Sequence, residues 1–447
     1  MTPTFFIRTY GCQMNERDSE AVACLLETRG FHQVEGEDEA DVLLFNTCSV
    51  RDQAERKVLG KLGLLKRLKR VKPHLVIGVL GCMAQRLGEE IPAKLPHVDL
   101  VVGTDQIQTL PDLLLAQLEE RRPGVYLERS DASLPMLGLH APGKISAFIA
   151  VMRGCNQGCS YCVVPEVRGR EKSRPVTDIV EEATRLVAGG TQEIFLLGQN
   201  ITAYGVAELR RAGTWNPELS PFADLLRAVC AVPGLRRVRF TSPHPNYMNA
   251  AFVRAVAELP RVCDHFHVPV QSGSDRILQA MKRNYTAAAY LERIRALREA
   301  RPGAAFSTDV IVGFPGETDE DFAATRELMQ TADFDMAYIF KYSPRPGTLA
   351  ERQVDDVPQA VKKQRNEILL KDLDARSLAH NTARVGEDVE VLAEGPSLRN
   401  RERWSGRSSD NKNVIFTPEP GLEIGQLRQV RITRATSHSL FGDLLPE

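Results

Sequence analysis

The sequence has no apolar run approaching the ~18 residues of a membrane-spanning helix, so none is expected. Its opening residues, MTPTFFIRTYGC, have no charged stretch leading into a long apolar one, and no secretory leader is expected. Net charge is also missing: 57 Lys and Arg stand against 58 Asp and Glu, a formal −1. That excludes a global basic field, so any nucleic acid must be held by local patches. There is no low-complexity tract. What is present is ordinary for a globular protein, 43% hydrophobic and 26% charged, and 447 residues is enough for about three domains. Nine cysteines without a leader predict a reducing, cytoplasmic setting, where clustered cysteines bind metal or do chemistry more often than they form disulfides.

Four segments follow from the pattern. Residues 1–126 alternate strands (TFFIRTY, ADVLLFNTC, HLVIGVLGC, VDLVVGT) with helical stretches, which predicts an α/β domain with a parallel sheet. Residues 127–143, LERSDASLPMLGLHAPG, read as a linker. Residues 144–378 repeat the strand–helix alternation about six strands, KISAFIAVMRG, EIFLLGQN, RRVRFTS, HFHVPV, AFSTDVIVG and MAYIFKYS, then a charged helix near 358–378. Six units predict a partial (β/α)6 TIM-like barrel with its site at the C-terminal strand ends. Residues 379–447 carry EDVEVLAEG, NVIFTP and LRQVRITRAT, the pattern of a small β-barrel. GFPGETDEDF is glycine-rich but lacks the lysine of a phosphate loop, and its TDED predicts a helix cap.

The cysteines carry the chemistry. RGCNQGCSYCVVP places Cys155, Cys159 and Cys162 in a C-x3-C-x2-C run directly after a strand. A structural zinc site needs four ligands, and no other Cys or His lies between 141 and 229. A redox dithiol would use only two of the three. Three thiolates suit a 4Fe–4S cluster with one iron left open. Cys12, Cys48 and Cys82 recur 36 and 34 residues apart, each at the end of a strand. Neighbouring parallel strands end at one edge, so these three can converge on a second cluster. The alternative is that they pack as small hydrophobes. Cys24, Cys230 and Cys263 sit in apolar contexts and are expected in the core.

The C-x3-C-x2-C run opening a six-unit barrel resembles the radical S-adenosylmethionine superfamily. Its cysteine-bearing N-terminal domain and C-terminal TRAM-like barrel resemble the methylthiotransferase family within it. YGCQMNERDSE, CVVPEVRGREKSRP, LLGQNITAYG, TSPHP, PVQSGSD, DVIVGFPGETDEDF and KYSPRPGT carry the resemblance, which spans nearly the whole chain. One departure is Glu166, where the family pattern leads us to expect an aromatic residue. The resemblance implies two 4Fe–4S clusters, on Cys155, Cys159 and Cys162 and on Cys12, Cys48 and Cys82. It implies S-adenosylmethionine as cofactor, cleaved to a 5′-deoxyadenosyl radical, and sulfur carried by the second cluster. The implied reaction places a methylthio group on carbon 2 of N(6)-dimethylallyladenosine at position 37 of tRNA. The same chemistry on threonylcarbamoyladenosine or on a ribosomal-protein aspartate is the near alternative. A non-catalytic iron–sulfur RNA-binding protein is the distant one. Implied partners are tRNA, a reductant such as flavodoxin or ferredoxin, and iron–sulfur assembly or sulfur-donor proteins, with the chain itself a monomer.

Polar residues at the barrel strand ends, Gln199, Ser242, Gln271 and Asp309, together with Arg283 beside Tyr285, are the candidates for orienting the cofactor. Gly189-Gly190 before Glu193 resembles the superfamily's Gly-Gly-Glu cofactor element, displaced by two residues. For RNA, segment 51–72 carries nine Lys or Arg against Asp52 and Glu55; Lys66, Arg67, Lys69 and Arg70 are its densest part. RNRERWSGRSSDNK adds Arg399, Arg401 and Arg403 around Trp404, with Arg407 and Lys412 following, a basic and aromatic mix that suits backbone contact and base stacking.

Overall fold

A computed structural model describes residues 2–49, 52–129 and 138–446. Arg51 of the basic segment and 130–137 of the linker lie outside the described residues.

The N-terminal domain is a six-stranded, all-parallel sheet: β1 Thr4–Tyr10, β2 His32–Gln33, β3 Val42–Thr47, β4 Val76–Leu80, β5 Leu100–Val102 and β6 Gly124–Tyr126, in the order β2-β1-β3-β4-β5-β6. Every residue of β3 and β4 is buried, as a parallel sheet covered on both faces requires. One face packs Leu43, Phe45, Ile77 and Val79 against Val58, Leu62 and Leu65 of the helix Asp52–Val71. The other packs Phe5, Leu44 and Val76 against Val22 and Leu26 of Gln13–Thr28. Tyr10 lies opposite Thr47, and Asn46 opposite Leu80, so β1, β3 and β4 end together. After β4 come two short helices, Gly81–Leu87 and Glu90–Lys94, broken at Gly88, whose φ of 46° no ordinary helix residue adopts.

The second domain holds β7 Ser146–Ala150, β10 Glu193–Leu197, β11 Arg237–Phe240, β12 His265–His267, β13 Ala305–Val312 and β14 Met336–Lys341. Two parallel sheets, β11-β10-β7 and β12-β13-β14, are joined by one bridge from Val238 to Val262. The six units expected from sequence are there, curved into a partial barrel. A short antiparallel pair, β8 Met152–Arg153 and β9 Lys172–Ser173, frames the cysteine loop at its mouth. Alternate residues Ile194, Leu196, Val238, Phe266 and Val310 pack outward with Ile179, Leu226, Phe252 and Leu328 of the helices. Their neighbours, among them Glu193, Phe195, Arg239, His267, Ser307 and Asp309, occupy the concave face. TDED is a helix cap: Thr318 and Asp321 form a reciprocal capping box on Asp319–Ala332.

The charged helix runs Gln359–Ala383, five residues past the expected boundary at 378. Its buried Leu369 and Leu373 join the barrel core, which carries it past the boundary composition suggested. Then β15 Asp388–Pro396, β16 Trp404–Ser408, β17 Asn413–Thr417, β18 Leu427–Ala435 and β19 Leu440–Leu444 close a five-stranded barrel. It docks on the N-terminal rim of the larger barrel. Arg237 Nη1 donates to the Arg407 carbonyl at 2.7 Å, Arg239 Nη2 to the Ser408 carbonyl at 2.6 Å and Arg239 Nη1 to the Ser409 carbonyl at 2.9 Å. Arg239 is fixed in turn by Glu193 at 2.6 Å, both nearly fully buried.

Candidate functional site

The three strand-end cysteines converge. Cys12 immediately precedes the helix Gln13–Thr28, Cys48 follows β3 directly, and Cys82 opens Gly81–Leu87 after β4. The Cys48 amide donates to the Tyr10 carbonyl at 2.9 Å, and a Cβ on Gly11 would stand 2.8 Å from Cys48 Cβ, so only glycine lets the two turns approach. Cys12 is exposed, while Cys48 and Cys82 are buried. A hydrogen bond with Cys48, then the positive charge of Arg168, hold the Cys12 thiol down to about 6 against the opposing effect of burial. Burial pushes Cys82 up, opposed by Arg168. Beneath them, Asn15 Nδ2 donates to Asn46 Oδ1 at 3.0 Å and Asn46 Nδ2 to Ser19 Oγ at 2.9 Å, fixing the turns from below. Flanking Cys48, the Thr47 and Ser49 hydroxyls are buried with no hydrogen-bond partner among the described residues.

The second triplet lies in the loop between β8 and the helix Val164–Arg168. Each sulfur faces one N–H of the chain: Gln157 N to Cys155 at 3.4 Å, Val164 N to Cys162 at 3.4 Å, and Arg283 Nη1 to Cys159 at 3.5 Å. Burial, with the neighbouring thiols adding to it, pushes Cys155 up to about 12 and Cys162 up to about 11. A metal cation beside Cys155 and Cys162 would favour their thiolates against that burial. Among the described residues no three Cys, His, Asp or Glu side chains close around the position of a single metal ion. A four-iron cluster is broader than one ion and takes thiolates standing farther apart. Two soft three-thiol sets, each furnished with N–H donors, therefore fit such clusters.

The two triplets share one interface. Val163, directly after Cys162, and Val167 of the helix Val164–Arg168 pack on Cys82. Thr104 donates to the Val167 carbonyl at 2.7 Å. Met14 packs on Ala150 and Leu197, flanked by Phe148 and Phe195. Glu55 meets Arg86 at 2.6 Å and Arg345, from the loop after β14, at 3.5 Å. Sequence reasoning missed Met14, Glu55, Arg345 and above all Arg168. All lie within or beside quoted motifs, but their roles depend on contacts across domains.

The barrel-end candidates are placed as follows. Gln199 and Asn200 close LLGQN, and the buried Gln199 Oε1 and Asn200 Nδ2 have no hydrogen-bond partner among the described residues. Ser242 and Gln271 both hold left-handed backbone, φ 61° and 74°, a costly conformation for these residue types. Gln271 N donates to the Asp309 carbonyl at 2.8 Å, and the Asp309 carboxylate stands 3.5 Å from His267 Nε2. Asp309 lies within β13 rather than at its end. Arg283 is half-buried against the Cys159 thiol and Tyr285 OH. Gly189-Gly190 does not form a cofactor element. It ends the helix Val176–Ala188 at the foot of β10, and Glu193 is consumed by Arg239 and Ser146 at the rim opposite the cysteines.

The basic patches are thinner than the sequence predicts. Lys66, Arg67 and Arg70 are exposed, but Lys69 is half-buried, paired with Asp99 and donating to the Leu75 carbonyl. Arg399 and Arg401 are exposed and Arg403 partly so. Trp404 begins β16 and packs on the small barrel's core. Arg407 pairs with Glu394, and Lys412 docks on Asp335 at 2.9 Å, so neither is a free RNA contact. Of the three other cysteines, Cys230 and Cys263 are buried as expected; Cys24 is only half-buried. Among the described residues no helix is long and apolar enough to cross a membrane.

Comparison with known proteins agrees with this division. Residues 149–329 match the radical SAM superfamily model, 4–103 a model described as uncharacterized protein family UPF0004, and 382–445 the TRAM domain. A tRNA-2-methylthio-N(6)-dimethylallyladenosine synthase from Opitutus terrae is 45% identical, the match covering 98% of this chain and 97% of that protein. One from Akkermansia muciniphila is 43% identical over 98% of each. A solved radical S-adenosylmethionine methyltransferase from Kitasatospora setae, with tryptophan substrate and a cofactor analogue bound, shares the fold at TM-score 0.56 and 15% identity, covering 78% of this chain and 75% of its own. At that level of full-length identity, the chain belongs to the tRNA-2-methylthio-N(6)-dimethylallyladenosine synthase family of radical S-adenosylmethionine enzymes.

Proposed function

We propose that this protein is a tRNA-modifying methylthiotransferase acting at carbon 2 of N(6)-dimethylallyladenosine at position 37. The observation that carries this reading is the arrival of two three-thiol sets at one interface, with Val163 and Val167 of one loop seated on Cys82 of the other. A single radical enzyme needs one such set; sulfur insertion needs a second.

When bound, the two 4Fe–4S clusters and S-adenosylmethionine supply the radical and sulfur-transfer chemistry. The chain's own residues do the rest. Cys155, Cys159 and Cys162 would hold one cluster, and Gln157, Val164 and Arg283 direct N–H groups at their sulfurs. Cys12, Cys48 and Cys82 would hold the other. Gln199, whose buried oxygen has no partner among the described residues, and Ser242, Gln271 and Asp309 would orient the cofactor. Met14, Ala150 and Leu197 exclude water where the domains meet. Lys66, Arg67, Arg70, Arg399 and Arg401 would meet tRNA phosphates. A flavodoxin or ferredoxin as reductant, a sulfur-donor or cluster-assembly partner, a monomeric state and a cytoplasmic setting complete the proposal.

The test is iron and sulfide content after anaerobic reconstitution, followed by mass spectrometry of prenylated tRNA. About eight irons should fall to about four in Cys155→Ala/Cys159→Ala/Cys162→Ala. About four irons in the unaltered protein, all lost in that variant, would remove the second cluster and the sulfur-insertion mechanism with it.

A further inference from the structure

Arg168 ends the helix Val164–Arg168, six residues after Cys162, yet its guanidinium serves the other triplet. Its side chain is 4% exposed. Nε donates to Cys82 Sγ at 3.2 Å, and Nη2 stands 2.7 Å from Asp18 Oδ2 on the helix Gln13–Thr28. The pair is neutral as a whole but oriented, cation toward sulfur and carboxylate away. A guanidinium cannot shed its proton, and burying one against a neutral thiol gains little. Against a thiolate, the same contact is a charge-assisted hydrogen bond. A second arginine nearby, the half-buried Arg153, is matched by Asp105 at 2.5 Å.

We propose that Arg168 is a positioning residue for the cluster on Cys12, Cys48 and Cys82, donating to the Cys82 thiolate and raising that cluster's reduction potential. Hydrogen bonds and positive charge at a ligand sulfur favour the more negative, reduced state. Because the donor rides on the chain that follows Cys162, the loop of the first triplet sets the electrostatics of the second. This role rests on the two-cluster reading above. A domain clasp alone would also use the Arg168–Asp18 pair, but it would not move a potential.

The experiment isolates the second cluster by working in Cys155→Ala/Cys159→Ala/Cys162→Ala, reconstituted anaerobically and titrated with dithionite under EPR. About four irons must remain; none would overturn the two-cluster reading, and this role with it. With iron present, Arg168→Met/Asp18→Asn, which leaves no unpaired buried charge, should shift the midpoint to lower potential. Arg168→Lys keeps a charge against Asp18, but one ammonium cannot span both contacts, so it should shift the midpoint in the same direction by less. It also serves as the readout should the neutral pair fold poorly. Iron retained at an unchanged midpoint in Arg168→Lys, or in the neutral pair where it folds, would overturn the assignment.

Discussion

Arg283 Nη1 lies 3.5 Å from Cys159 Sγ, and the same guanidinium donates to Tyr285 OH at 2.8 Å and to the Pro269 carbonyl at 3.2 Å. Three contacts fix a cation at the edge of the first triplet. Sequence reasoning made Arg283 a candidate for orienting the cofactor; the structure sets its guanidinium on the Cys159 thiol. A hydrogen bond to a charged group is worth ~1.5–3 kcal/mol, or about 10–100-fold. Arg283→Met should lower S-adenosylmethionine cleavage by that factor or lose the first cluster, while Tyr285→Phe, which removes one brace, should cost less. Cleavage rates per bound iron measure this, and equal rates in Arg283→Met and the unaltered protein would remove the role.

Gln271 offers a separation of stability from activity. Its left-handed backbone, φ 74°, is pinned by its N–H on the Asp309 carbonyl and its carbonyl on the Ile311 N–H. A left-handed residue costs ~1–2 kcal/mol, which glycine avoids, against ~0.5–1 kcal/mol of added chain entropy. Gln271→Gly should therefore match or slightly exceed the unaltered protein in thermal stability while losing cofactor turnover. A protein that melts lower and turns over normally would show that the side chain serves packing.

How much of this was legible depends on range. The strand ends at Cys12, Cys48 and Cys82 could be read because each strand is a buried apolar run closed by a cysteine at near-equal spacing. Parallel pairing does the rest. The six barrel units and the capping box at Thr318 were likewise local. What escaped was tertiary. Arg168 stood in plain view within CVVPEVRGREKSRP, but nothing in its neighbours says that it reaches Asp18 and Cys82. Lys69 looks like one more basic residue until Asp99 is folded beside it. Two strands of the small barrel, Trp404–Ser408 and Leu440–Leu444, were missed because WSGRS and LFGDL are short, glycine-containing and weakly alternating. Gly189-Gly190 misled because the glycine pair that ends a helix looks the same as one that cradles a ligand.

The basic face makes a prediction about salt. Lys66, Arg67 and Arg70 are exposed, whereas Lys69 is held by Asp99. Replacing the three exposed residues by Gln should weaken tRNA binding and flatten its salt dependence by about 0.7–0.9 in log–log slope per lost contact. Lys69→Met should leave the slope unchanged and lower thermal stability, because Asp99 loses its cation. Fluorescence anisotropy across a salt series separates the two. A slope unchanged in the triple variant would move the RNA path elsewhere, with Arg399 and Arg401 the next to test.

Docking of the small barrel turns on Asp335, just before β14. Its carboxylate meets Lys412 Nζ at 2.9 Å, His380 Nδ1 at 3.2 Å and the Phe306 N–H at 2.9 Å. Burial opposes ionisation, but His380, Lys412 and the Phe306 amide outweigh it and hold this carboxyl well below its usual range. The same contact raises His380 above the usual imidazole value, against burial. The signs then differ. The Asp335 contribution is present above the ordinary carboxylate pKa of about 4 and is lost as pH falls through and below it. The His380 contribution is complete below about pH 6.5 and is lost as pH rises through its raised value. The difference in melting temperature between the unaltered protein and Asp335→Asn should therefore be greatest between about pH 5 and 6.5 and shrink on both sides. Lys412→Met should cost ~1–3 kcal/mol at neutral pH, since it strips one charged partner from a largely buried carboxylate. A pH-independent difference would mean that the Asp335 cluster packs the junction without its charge contributing to stability.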